Sequence, residues 1–218
     1  MEFTGGQQIR HHRGGALGMT VRVVLFDVGG VLVDLGGVDD LLGWLGPSAT
    51  QESLWPIWLR SPSVRAFETG RIGPMDFAVG ILKELKLDLE PGLFLESFAS
   101  WPTRTFPGAL EMVATIPAHY QRALLSNSNM LHWPRVLDEM NLRSSFEHRF
   151  SSHLTGKIKP DAESFEHVVE VLDCRPAEVL FLDDNMLNVE AARAIGMQAM
   201  RVRGVEESRS ALQQAGIL

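Results

Sequence analysis

The stretch Val-Arg-Val-Val-Leu-Phe-Asp-Val-Gly-Gly-Val-Leu-Val-Asp, residues 21–34, decides the fold. Within it Val23, Val24, Leu25 and Phe26 form an apolar, β-branched run too short for a helix, which suits a strand buried on both faces of a parallel sheet. The run leads directly into Asp27. Gly29-Gly30 then let the chain turn sharply, so Asp27 stands at the carboxyl end of a buried strand, where open α/β sheets bind their ligands. Read alone, Asp27 is equally a reactive group or the end of a strand and the start of a turn.

Beyond this strand the pattern changes. Over residues 35–100, Leu41, Leu42, Leu45, Leu54, Trp55, Trp58, Phe77, Ile81, Leu82, Leu85, Phe94 and Phe98 recur at three- and four-residue spacings. Pro47, Pro56, Pro62, Pro74 and Pro91, with Gly70 and Gly73, punctuate them, which predicts about four short amphipathic helices. Such a block is too long for a simple crossover between strands and is expected to form an inserted helical cap domain over 35–100. Gly36-Gly37 and residues 100–106 are its expected hinges. Trp55, Trp58, Trp101 and Trp133 are expected in cores rather than in a pocket.

From Phe106 onward strands and helices alternate. The pattern predicts helices over 109–116, 132–140, 161–172, 187–195 and 206–214, and strands over 122–126, 146–151, 178–182 and 198–202. Alternation of this kind implies an α/β, Rossmann-like, doubly wound parallel sheet with helices on both faces. The core is then 19–34 together with 101–218.

The chain has 218 residues, of which 45% are hydrophobic and 22% charged, the composition of an ordinary globular protein. A net charge of −7 without a dense Lys/Arg cluster argues against nucleic acid or an anionic membrane as partner, and a phosphate site would need its own local positive charge. The single cysteine, Cys174, points to a reducing, cytoplasmic setting and reads as structural. No apolar run approaches the ~18 residues of a membrane span. Residues 1–18 are rich in Gly, Gln, His and Arg and read as a disordered leader or an appended tag, with His11 and His12 as solvated tail.

Asp27, Ser126 and Asp183-Asp184 all fall at predicted carboxyl ends of strands, and Lys159 falls just before a helix. In a doubly wound sheet those ends converge on one crevice. Each signal is weak alone, since Ser126–Asn129 is a polar turn by default and an Asp pair after a strand is a common helix cap. In this order and together, the chain resembles the haloacid-dehalogenase-like (HAD) superfamily of aspartate-nucleophile hydrolases from about residue 21 to 202. The matching segments are Asp27-Val28-Gly29-Gly30-Val31, Ser126 in Leu-Leu-Ser-Asn-Ser-Asn, Lys159 in Gly-Lys-Ile-Lys-Pro, and Asp183-Asp184-Asn185-Met186-Leu187-Asn188.

That resemblance implies the chemistry. Asp27 would attack phosphorus and form an aspartyl-phosphate, splitting one hard hydrolysis into two easier steps. Mg²⁺ would be held by Asp27, the backbone carbonyl of Gly29 and Asp184, while Asp183 and Asn188 position waters or the lysine. Gly30 would belong to the substrate-binding turn. Ser126 and Asn127 would bind phosphoryl oxygens, and Lys159 would supply positive charge and keep Asp27 ionised. One position departs from the superfamily's phosphatases, which usually carry an acid two residues after the nucleophile. Here that position is Gly29. The same Gly, with Ser126–Asn129 and Trp133-Pro134, resembles a bacterial sugar-phosphatase branch that includes glucose-1-phosphatase-like members.

The residues therefore point first to a Mg²⁺-dependent phosphatase for a small phosphate monoester, a sugar phosphate being the branch's implied substrate, working as a monomer or homodimer. A 2-haloacid dehalogenase would share the nucleophile without a metal, although Asp183 and Asp184 would oppose a carboxylate substrate. A phosphate-binding protein that has lost turnover with its acid is the third reading.

Overall fold

The structure is a computed structural model and describes residues 20–218; the leader and its His11 and His12 lie outside the described residues. The first strand, β1 (Val23–Phe26), is followed by a two-residue strand, β2 (Val33–Asp34). Next come α1 (Val38–Leu45), α2 (Gln51–Arg60), α3 (Pro62–Glu68), α4 (Pro74–Leu85) and α5 (Pro91–Ala99), and the return strand β3 (Arg104–Thr105). The chain then alternates: α6 (Ala109–Ala114), β4 (Gln121–Ser126), α7 (His132–Pro134) running into a wide π-helical turn Arg135–Glu139, α8 (Leu142–Ser145), and β5 (His148–Ser151). It closes with α9 (Ser152–Thr155), α10 (Ala162–Val171), β6 (Val179–Asp183), α11 (Met186–Ala194), β7 (Gln198–Arg201) and α12 (Gly204–Gln214). No helix among the described residues is long and apolar enough to cross a membrane.

The sheet is parallel and five-stranded, in the order β5-β4-β1-β6-β7. β1 is central and completely buried, as its uninterrupted apolar run requires. Because side chains alternate, Val24 and Phe26 face one core with Leu124, Leu182, Met112 and Leu212, and Val23 and Leu25 face the other with Phe165, Phe181, Val189 and Ala192. Phe26 pairs in register with Leu124 and Leu182. That register brings Asp27, Ser126 and Asp183 to the same end of the sheet.

Residues 38–101 bury a separate core built on Leu41, Leu54, Trp58, Phe67, Phe77, Ile81, Phe94, Phe98 and Trp101. Phe67 and Phe77 stack at 4.5 Å and Trp58 packs 4.9 Å from Trp101. Trp58, Trp101 and Trp133 are therefore core residues, as expected, and Trp55 packs at the margin. There are five helices here rather than about four. Pro62 occupies the first turn of α3, where its missing N–H costs nothing, and Ser61 caps it, so a proline counted as a helix breaker starts a helix. Pro56 sits inside α2 without ending it.

Two features escaped the sequence pattern. β2 and β3 pair antiparallel where the chain leaves and re-enters the sheet, and at two residues each they are too short to show periodicity. Gly37, expected as a hinge, instead lies so close to Trp101 that a Cβ there would sit 2.6 Å from its Cα, so the residue is needed for close packing.

His132 ties the five-helix layer to the sheet. Its Nδ1 accepts from Asn129 Nδ2 at 3.1 Å and its Nε2–H donates to the Phe98 carbonyl at 2.6 Å, the tautomer that satisfies both bonds. Burial, with help from Arg135, lowers the imidazole pKa to about 4. The unfolded chain therefore takes up a proton before the folded one does, and stability falls as pH drops from about 6.5 towards about 4. We expect His132→Gln, which keeps a donor and an acceptor, to reduce this acid-side loss by on the order of 2–3 kcal/mol. Urea denaturation of both proteins between pH 7 and pH 4 checks it; parallel curves would show that His132 is not the group responsible.

Candidate active site

The crevice at the carboxyl ends of β1, β4 and β6 is built around a buried ammonium. Lys159 Nζ lies 2.7 Å from Asp27 Oδ1 and 2.7 Å from Asp183 Oδ2, and Lys159 is only 3% exposed. Asp183 is wholly engaged. Besides the lysine, it accepts the Asn185 backbone N–H at 2.8 Å and the Asn188 amide at 3.1 and 3.0 Å.

Asn127 does something besides what the sequence suggests. Its Nδ2 donates to the Lys159 carbonyl at 2.9 Å and its Oδ1 accepts the Lys159 N–H at 2.9 Å, so both ends of the amide clamp the lysine's own backbone. One N–H of the Nδ2 group is left for another acceptor. Ser126, by contrast, makes only a long 3.4 Å bond to the Asn127 carbonyl, so its buried hydroxyl can turn to another acceptor.

The two glycines after the nucleophile have distinct jobs. Gly30 has φ +71, a region that disfavours side chains, and a Cβ there would fall 2.8 Å from Asp184 Cγ and closer still to its Oδ2. Its bare Cα lets the Asp184 carboxylate approach, and its carbonyl is fixed by the Gly204 N–H at 2.8 Å. Gly29 does not have positive φ, so no backbone strain explains it. A Cβ on Gly29 would lie 2.8 Å from Leu35 Cδ1, so a leucine fills the space in which an acid's side chain would begin.

Asp27, Asp183 and Asp184 each offer a carboxylate oxygen within 4.8 Å of the others. One ammonium faces three carboxylates. Burial pushes the Asp27 pKa up to about 7 against the pull of Lys159, and Asp183 and Asp184 push it further. Lys159 thus lowers the Asp27 pKa as the sequence reading expects, but alone does not keep it in the ordinary carboxylate range. Asp184 rises to about 6, through burial and then the charge of Asp183. Burial works against charge on Lys159, yet Asp183 and Asp27 outweigh it and its pKa is raised. An oxygen-only donor set with excess negative charge and a side-chain-free cradle at Gly30 fits a hard divalent cation such as Mg²⁺.

Sequence reasoning missed one acid at this site. Glu68, the last residue of α3, is partly buried, lies beside the Trp58 side chain, and is near enough to Lys159 and Asp27 to feel their charges. A faint signal was available: an acid in the last turn of a helix opposes the macrodipole and so needs some other reason to be there.

Known proteins place this arrangement. Residues 21–196 match the haloacid dehalogenase-like hydrolase family. The chain is 29% identical over 202 residues to the sesquiterpene phosphatase astK of Aspergillus oryzae, covering 84% of this chain and 90% of that one. It is 28% identical over 191 residues to the (S)-2-haloacid dehalogenase of Xanthobacter autotrophicus, covering 84% and 75%. Its fold is shared by a HAD family enzyme of Bacteroides thetaiotaomicron crystallised with magnesium and inorganic phosphate, at a TM-score of 0.65 and 22% identity, covering 84% of this chain and 94% of that one. With the family matched along most of its length and the strand-end carboxylates in one crevice, the chain belongs to the haloacid dehalogenase-like hydrolases.

Proposed function

We propose that this hydrolase is a Mg²⁺-dependent phosphatase for a small phosphate monoester, with Asp27 as nucleophile. The observation that carries the reading is the buried Lys159 ammonium 2.7 Å from Asp27 Oδ1, in a crevice where Asp183 and Asp184 bring two further carboxylates. Catalysis of phosphoryl transfer is mostly positioning and charge neutralisation, and this site concentrates both.

The Asp27 carboxylate attacks phosphorus, the ester oxygen leaves, and water then hydrolyses the aspartyl-phosphate. Ser126 and the amides at the end of β4 hold phosphoryl oxygens. Lys159 neutralises charge on the transferring group and fixes the attacking carboxylate. Asp183, with every bond already engaged, holds Lys159 rather than acting as a ligand, and Asn127 holds the lysine's backbone. Asp27, Asp184 and the carbonyl of Gly29 are the proposed metal ligands. Mg²⁺ bound there would neutralise the phosphoryl oxygens and relieve the repulsion among the carboxylates.

The dehalogenase reading is supported by a relative of nearly equal identity. Against it stands the three-carboxylate cluster, which suits a cation and repels a carboxylate substrate. The relatives' names cover a sesquiterpene phosphatase as well as a haloacid dehalogenase, so the sugar phosphate implied by the sequence motifs is one substrate class to set against larger apolar phosphate esters.

Asp27→Asn should lower kcat for p-nitrophenyl phosphate by at least about 1,000-fold with the fold retained, as steady-state rates and thermal melts on one preparation would show. Asp184→Ala should raise the Mg²⁺ concentration for half-maximal rate ~10-fold or more, with recovery at high Mg²⁺. Hydrolysis that survives a chelator would favour the metal-independent dehalogenase. Gly30→Ala should cost about 1–3 kcal/mol in urea denaturation and weaken Mg²⁺ binding, because it both strains the backbone and displaces Asp184.

A further inference from the structure

The site described so far has no proton donor for the leaving group. Position 29 carries no side chain, and Leu35 occupies the adjoining space. Lys159, Asp183 and Asn127 are tied to one another. His132 has both ring nitrogens engaged, with Asn129 and with the Phe98 carbonyl.

A donor comes instead from the five-helix layer. α3 and the turn that follows it are pinned at two points to the segments that follow β5. Arg65 pairs with Asp161, two residues beyond Lys159. Gly70, at φ +70, lies so close to α9 that a Cβ there would be 2.5 Å from the His153 carbonyl. Glu68 sits between these two anchors, one turn along from Arg65 and hence on the same face of the helix. Its carboxyl lies beside the Trp58 side chain, which draws its pKa down, and Trp58 is itself locked in the aromatic core against Phe77, Phe98 and Trp101. The carboxyl thus lies against a rigid neighbour, within reach of the charges of Lys159 and Asp27.

We propose that Glu68 is the general acid and base of the reaction, supplied by the helical layer in place of the side chain absent at Gly29. The inference rests on the phosphatase reading above. In the first step the Asp27 carboxylate forms a bond to phosphorus, the bond from phosphorus to the ester oxygen breaks, and the Glu68 proton passes to that oxygen, releasing a neutral alcohol. In the second step the Glu68 carboxylate takes a proton from water as its oxygen bonds to phosphorus. The bond between phosphorus and Asp27 breaks, inorganic phosphate leaves, and Glu68 is protonated again. The environment suits the first role: burial raises the Glu68 pKa to about 8, with the Asp27 charge adding to the rise and Trp58 and Lys159 opposing it, so the group carries its proton at neutral pH.

The test compares the parent with Glu68→Gln on two substrates, p-nitrophenyl phosphate, whose leaving group departs as an anion, and β-glycerophosphate, whose alkoxide must be protonated. Glu68→Gln should lower kcat for β-glycerophosphate about 100-fold or more while leaving the first turnover of p-nitrophenyl phosphate nearly unchanged. Having lost its base, the variant should then give a stoichiometric burst of p-nitrophenol followed by slow turnover, with the aspartyl-phosphate detectable by intact mass. Equal losses on both substrates without a burst, or a raised KM with unchanged kcat, would overturn the role. A parent inert towards p-nitrophenyl phosphate with Mg²⁺ would overturn the phosphatase reading itself and the role with it. A second measurement needs no variant. In the parent the single-turnover rate with β-glycerophosphate should fall as pH rises through about 8, the Glu68 value, and that with p-nitrophenyl phosphate should not. The charged groups around Glu68 are Asp27 and Lys159 from the crevice, Arg65 on its own helix, and Asp161 and His153 from the segments α3 packs against. An alkyl-ester profile as flat as the aryl one would overturn the proposal.

Discussion

One buried ammonium organises the crevice. Lys159 Nζ has two carboxylate partners at 2.7 Å and almost no contact with water. Taking such a charge out of water costs several kcal/mol and is tolerated only where partners and hydrogen bonds are complete. Here two carboxylates meet the ammonium, Asp183 spends its remaining acceptor capacity on Asn185 and Asn188, and Asn127 grips the lysine's backbone from both sides. These groups come from four segments of chain, so the ends of β1, β4 and β6 and the turn before α10 are locked together by one charge. The cost of burying the ion sets how accurately those segments must meet.

That dependence explains what the sequence could and could not show. The strands were legible because β1, β4 and β6 are short and carry apolar runs, Val23–Phe26, Ala123–Leu125 and Val179–Leu182, that lead into polar groups, and parallel register then forces Asp27, Ser126 and Asp183 to one edge. The helices were legible from their spacing, with errors where a proline starts a helix instead of ending one, as at Pro62. The ribbon of β2 and β3 was not, since two residues carry no period. The contacts of Asn127 with the Lys159 backbone and of Gly30 with Asp184 were not legible because they depend on which atoms face each other across 32 residues for one and 154 for the other. Local pattern carries no such information.

Gly29 shows the opposite case, a residue whose meaning lies in what stands beside it. Its backbone would accept a side chain, and the obstacle is Leu35, a flexible apolar group that also packs against the sheet's core. An acid at position 29 and a leucine at position 35 compete for one volume. With the leucine there, the crevice loses a carboxylate that would have added a fourth negative charge next to Asp27, whose pKa already stands near 7. The electrostatics of the site therefore favour proton transfer from a group on the far side of the substrate, away from the three aspartates.

Placing that group on α3 changes what must happen before chemistry begins. An acid on a strand-end loop is present whether or not the helical layer is seated. The layer that carries Glu68 is seated where Arg65 meets Asp161, Gly70 rests against His153 and His132 reaches the Phe98 carbonyl. The contacts that seat the layer are thus the contacts that position the proton. Seating also excludes bulk water, which would otherwise compete for the aspartyl-phosphate and screen the charges that stabilise transfer. With Glu68 as the proposed acid, an ester too large to let the layer seat would meet the nucleophile without its proton donor.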